Sequence, residues 1–163
     1  MLTGIAHTAI CVPDVEEAAR WYSNVLGMEV LSPPSLISGE DIERDMGELI
    51  PHPVRLKAAI LGFGAEDRVL ELIEYPQVER ASGPADTTDL TTIGLTHVGL
   101  TCDDLAATRA SLEERGVRFL TAGIAEIVGL RSTWFTDPWG VVFILLEKGQ
   151  PQHPYWRQPR AGT

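Results

Sequence analysis

The chain has 163 residues and a formal net charge of −10, with 13 Lys and Arg against 23 Asp and Glu and no basic cluster in the acidic background. That balance repels nucleic acid and anionic lipid, and no run of ~18 uninterrupted apolar residues is present to cross a bilayer as a helix. With two isolated cysteines, no CxxC and no basic-then-apolar leader in "MLTGIAHTAICVPD", the sequence reads as cytoplasmic, with Cys11 and Cys102 expected as buried thiols.

The first strand is expected in "GIAHTAICV", around His7. Asp14 then stands as an N-cap with Glu17 three residues on, a capping-box arrangement that satisfies backbone N–H groups at a helix start. Val15, Ala18, Ala19, Tyr22, Val25 and Leu26 recur at helical spacing up to Gly27, whose tolerance of positive φ suits a helix end. Strands follow at "MEVLS", "VRLKAAILGF" and "RVLELIEY". Between the first two, residues 32–53 ("SPPSLISGEDIERDMGELIPHP") read as an insert with a short helix near 39–49, placed to cover a site. Residues 76–93 are polar with Pro and Gly and read as a connection.

The pattern then repeats. His97 and Asp104 fall ninety residues after His7 and Asp14, and Gly116 ends a second helix as Gly27 ends the first. This helix, from about 104 to 115, has a weaker apolar stripe, and strands are expected at "VRFLT", near 124–134 and at "VVFILLEK". The chain is therefore expected to be α+β, with two tandem βαβββ modules over 1–75 and 94–148 and a tail over 149–163.

Two histidines at equivalent places on first strands are a metal-site signature, because pseudo-twofold pairing of the modules would bring both to one cleft. Glu71 shares a strand face with Val69 and Ile73 while Leu70 and Leu72 point the other way. An acid so flanked on a central strand must be paired, protonated or metal-bound. Glu74 faces the other way and is expected in solvent or at the strand's end. Trp134 and Trp139 read as core or turn packing.

Together, "HTAICVPDVEEAARWYSNVLGMEV", "VLELIEY", "THVGLTCDDLAATRASLEERGV" and "FTDPWGVVFILLEK" resemble the vicinal oxygen chelate superfamily, which includes glyoxalase I, methylmalonyl-CoA epimerase, extradiol dioxygenases and bleomycin-resistance proteins. The resemblance covers nearly all of residues 3–148 and departs from the family at the insert and the tail. It implies a curved mixed sheet around a cleft, a homodimer, and one divalent metal held by His7, Glu71 and His97. The ion's identity stays open among Zn, Ni, Co, Mn and Fe. The family's last ligand, a Glu four residues after the turn glycine, falls here on Ile144. Glu147 has the opposite strand parity and is expected off the metal; water or His153 in the tail are further candidates for the missing position.

The resemblance implies proton abstraction next to a carbonyl, with Glu71 as ligand and base together and Glu48, in the insert, as a second carboxylate that a closing loop could deliver. The expected partner is a small oxygenated substrate, an acyl-CoA thioester or a hydroxyketone such as a cyclitol ketone, acted on by an epimerase or isomerase. A metal-independent small-molecule or antibiotic-binding protein is the alternative from another class. A glyoxalase-type lyase or a dioxygenase are further enzyme alternatives.

Overall fold

The computed structural model describes residues 1, 3–64, 68–79, 90–127 and 129–158, so the middle of the expected connection and the last five residues lie outside the described residues. The chain is α+β and divides into two units, Met1–Ser82 and Gly83–Thr163.

The first unit comprises β1 (His7–Cys11), α1 (Val15–Leu26), β2 (Glu29–Ser38), α2 (Glu40–Met46), β3 (Arg55–Gly62) and β4 (Val69–Glu74). Its sheet has the order β1-β4-β3-β2, with β1 parallel to β4 and the other pairs antiparallel. The helix starts where the sequence dictates: the Asp14 carboxylate accepts from Glu17 N at 2.7 Å. It stops at Gly27, whose φ of 74° lets its N–H reach back to the carbonyls of the last turn. Its apolar stripe of Val15, Ala18, Ala19 and Tyr22 packs on one face of the sheet, where Ile10, Val12, Ala59, Leu61, Leu70 and Leu72 are likewise buried. Tyr22 is fully buried, so truncating it to alanine would cost about 3–5 kcal/mol.

The insert differs from the sequence expectation. Its first part is strand, because β2 continues to Ser38 through register shifts between Val30 and Ser32 and between Ser32 and Ser35. Pro33 and Pro34 fall in that irregular stretch of an edge strand, where a missing N–H breaks no inner ladder. The expected short helix is α2, held by Glu43: its carboxylate accepts from Val54 N at 2.8 Å and meets His52 Nδ1 at 2.6 Å.

The second unit comprises β5 (Val98–Cys102), α3 (Leu105–Glu114), β6 (Arg118–Phe119), β7 (Ala125–Ile127), β8 (Leu130–Thr136) and β9 (Val142–Lys148). The order is β5-β9-β8-β6, with β7 also pairing to β8, so the stretch near 124–134 forms two antiparallel strands rather than one. Beneath α3 the core is aromatic, with Phe135 stacked on Phe143 at 5.1 Å. The weak apolar stripe of α3 has a physical cause, since a guanidinium lies where an aliphatic side chain is usual. Arg109 donates to Thr121 O, Gly123 O and Thr133 Oγ1 and sits 4.3 Å over the Phe119 ring. In the tail the Gln158 amide closes residues 150–158 into a loop by bonding Gln150 N and the carbonyls of Gln150, His153 and Pro154.

Candidate metal centre

Strand pairing places the candidate residues in equivalent rows. In the first unit Ala9, Glu71 and Ile60 lie side by side on β1, β4 and β3. In the second, Gly99, Ile144 and Trp134 occupy the matching row of β5, β9 and β8. His7, two residues before Ala9 on β1, shares the face of Ala9 and Glu71; His97 stands one residue before β5, not on the strand as the sequence suggested, and its ring contact with Trp134 puts it on the face of Ile144. Both rows turn away from the helices, because α1 occupies the Leu70 and Leu72 face and α3 the Phe135 and Phe143 face.

His7 and Glu71 are brought together. Nε2 of His7 lies 3.2 Å from Oε2 of Glu71, with the side chains 51% and 23% exposed. Two donors 3.2 Å apart, each about 2.1 Å from a common ion, subtend roughly 100° at it, between octahedral and tetrahedral angles. An imidazole nitrogen and a carboxylate oxygen are also the donor types that suit first-row divalent ions. These residues fit a metal.

His97 has a different setting. Thr96 Oγ1 lies 2.9 Å from its Nδ1, and its ring stands edge-on to Trp134 with centroids 4.8 Å apart. The hydroxyl contact engages Nδ1, so Nε2 is the ring nitrogen it does not use. Beside it, Ile144 is 7% exposed, buried where the family pattern has a carboxylate.

Glu147 does other work. Its Oε2 accepts from Leu105 N, the first amide of α3, at 2.6 Å, and both carboxylate oxygens bind Arg131 Nη1 at 2.9 and 3.1 Å. The first unit repeats the device. Glu74 accepts from Val15 N at 3.0 Å and lies 3.8 Å from Lys57, so it ends β4, one of the two places the sequence allowed, as a largely buried helix cap rather than a solvated acid. Lys57 also holds Glu16 at 3.0 and 3.2 Å, and this bond raises the lysine pKa. Asp14, Glu16 and Glu74 form a trio of acids with donor atoms within 4.8 Å of one another. Lys57 and two amides of α1, those of Val15 and Glu17, already satisfy that trio, and it lies on the opposite face of β4 from Glu71.

The remaining candidates do not join the row. Glu48 is exposed in the turn after α2, and His153 lies in the tail loop. Cys11 is exposed on the His7 face, contrary to the expectation of a buried thiol. Cys102 is half-buried, its thiol donating to Leu146 O at 3.7 Å, and burial pushes its pKa up. Sequence reasoning missed Trp134, Thr96 and Arg118 as residues of this face. Arg118 is exposed and donates to Thr136 Oγ1 at 3.2 Å, on the side of β8 that carries Trp134. The repeat held the signal for Trp134, which pairs with Ile144 as Ile60 pairs with Glu71.

Residues 4–145 match the family model described as the glyoxalase/bleomycin resistance protein/dioxygenase superfamily. Among solved structures, a glyoxalase family protein from Bacillus cereus superposes with a TM-score of 0.76 at 16% identity, over 91% of this chain and 95% of that one. The trypanothione-dependent glyoxalase I of Leishmania major gives 0.61 at 21% identity, over 90% and 87% of the two chains. An antibiotic-binding protein from Streptomyces sp. CB03234 gives 0.58 at 21% identity, over 90% and 97%. No curated protein matches at the sequence level.

Proposed function

Because the chain belongs to the glyoxalase/bleomycin resistance protein/dioxygenase superfamily, we propose that it is a metal-dependent isomerase or epimerase that removes a proton next to a carbonyl in a small substrate with two neighbouring oxygens. His7 and Glu71 hold one divalent ion, and the family resemblance assigns His97 as the third ligand. The observation that carries the reading is the convergence of His7 Nε2 and Glu71 Oε2 at 3.2 Å on the face away from the helix.

A divalent ion bound there supplies Lewis-acid polarisation of the two substrate oxygens. Glu71 directs one carboxylate oxygen toward His7, and its other oxygen takes the proton from the adjacent carbon. With isoleucine in the matching position of the second unit, no second base of that row faces the substrate. A single base returns the proton to the face from which it came. That favours a 1,2-shift in a hydroxyketone over inversion, which needs an acid on the other side.

The test is metal content per chain by elemental mass spectrometry. Close to one equivalent is expected in wild type and Glu147→Ala, and loss in His7→Ala and His97→Ala. No metal in any of them after reconstitution would overturn the proposal. The catalytic half is read by solvent deuterium wash-in at the carbon next to the carbonyl of hydroxyacetone, expected in wild type and abolished in Glu71→Gln. Burial of Ile144 at the position where the family pattern has a ligand supports a second reading, a metal-free binding protein of this fold. Absence of metal with retained small-molecule binding would establish it.

A further inference from the structure

The two rows that carry the histidines have diverged in kind. Ala9, Glu71 and Ile60 put a carboxylate at the centre of the first, whereas Gly99, Ile144 and Trp134 put no side chain, a branched alkyl group and an indole across the second. Trp134 is the largest residue of that row, and although β8 is an inner strand its indole is only half-buried. It stands beside His97, with centroids 4.8 Å apart and planes at 71°. An edge-on partner covers at most one of the two faces of an indole. Gly99, exposed on β5 beyond Ile144 in the same row, adds no side chain to obstruct a flat group; a Cβ there would meet Ile144 at 3.6 Å. A water-facing indole next to a histidine, over an alkyl floor, recognises a planar apolar group and offers little to a hydrated one.

We infer that Trp134 is a specificity-determining residue, and that a ligand reaching His97 carries a planar apolar ring that lies against the indole. The inference rests on the proposed function in one respect, that His97 belongs to the site. It separates substrates by what is attached to the hydroxyketone. An aryl group gains the indole contact, and a methyl group leaves the indole in water.

The test uses two hydroxyketones that differ only in this group, 2-hydroxy-1-phenylethanone and hydroxyacetone, titrated calorimetrically into the full chain with and without added divalent metal. The phenyl compound is expected to bind wild type at least about tenfold more tightly, the usual scale for one well-placed apolar contact in a pocket. Trp134→Ala is expected to abolish that preference, bringing the affinity for the phenyl compound down to that for hydroxyacetone. Trp134→Phe, which keeps a ring in the strand and guards against misfolding of the alanine variant, is expected to retain part of it. Equal binding of the two compounds by wild type, binding of neither, or a preference that survives Trp134→Ala would each overturn the inference. Failure of the metal site leaves a different mark, because the titration without metal still reads the phenyl preference when the elemental analysis finds no ion.

Discussion

Glu147→Ala is the perturbation that most directly separates a folding role from a metal role for the last acid of the chain's final strand. In the structure this carboxylate is 19% exposed, accepts from the first amide of α3 at 2.6 Å and engages Arg131 Nη1 with both oxygens. A hydrogen bond to a charged group contributes about 1.5–3 kcal/mol, and a partly exposed ion pair adds up to about 1 kcal/mol. The expected loss is therefore about 2–4 kcal/mol, against less than about 0.5 kcal/mol for the exposed Glu48→Ala control. Glu147→Gln should recover part of the loss, since its amide oxygen can still accept from Leu105 N, but not the charge facing Arg131. Glu74→Ala is expected to cost a similar amount, because Glu74 caps α1 in the same way and is 14% exposed. The assay is urea denaturation followed by circular dichroism, run beside elemental analysis of the same samples. Metal content that falls with Glu147→Ala, or a stability loss no larger than that of Glu48→Ala, would refute the reasoning.

Three further outcomes are expected. Glu43 has its pKa lowered first by the Val54 amide and then by His52, so its folded value lies below its unfolded value. The stability it contributes is therefore present above the ordinary glutamate pKa of about 4.3 and disappears as the pH falls through the lower folded value. The difference in urea midpoint between wild type and Glu43→Gln should close in that acid window, and a difference that grows there would contradict the assignment. Alkylation with iodoacetamide, read by peptide mass spectrometry at pH 8, should modify exposed Cys11 well before Cys102, whose thiol burial holds above its ordinary pKa; equal rates would mean that the half-buried thiol is open. Ile144→Glu buries a carboxylate at a site 7% exposed, so without metal it should cost at least about 2 kcal/mol. A metal-dependent rise in Tm larger than that of wild type would identify this as the fourth ligand position, whereas no gain from metal would remove Ile144 from the site.

Much of this was legible in the sequence where the controlling forces are local. Asp14 and Gly27 bracket α1 through contacts within one helical turn, and alternation along "VLELIE" alone puts Glu71 opposite Leu70 and Leu72. The roles of Glu74 and Glu147 were not legible, because each is fixed by an amide far away in sequence, 59 residues back for Glu74 and 42 for Glu147. The extent of β2 was obscured by Pro33 and Pro34, which read as a loop until pairing with β3 shows an edge strand that bulges around them. Trp134 read as core because hydrophobic patterning counts an indole as buried; only the pairing across β8 and β9 places it beside His97.

The two units differ in what each face of the sheet has kept. On the helix face the devices come in pairs: Asp14 with Asp104 at the helix starts, Glu74 with Glu147 on the first amides, Lys57 with Arg131 beside those acids. Each unit must anchor its own helix, and an uncapped helix start with a half-buried acid would weaken either one independently. On the histidine face His7 corresponds to His97, while Glu71 corresponds to Ile144 and Ile60 to Trp134. Folding places no such demand there, since a carboxylate or an alkyl group serves a ladder equally well. Helix anchors retained in both units beside rows of different chemistry are what separate demands on the two faces of a sheet produce.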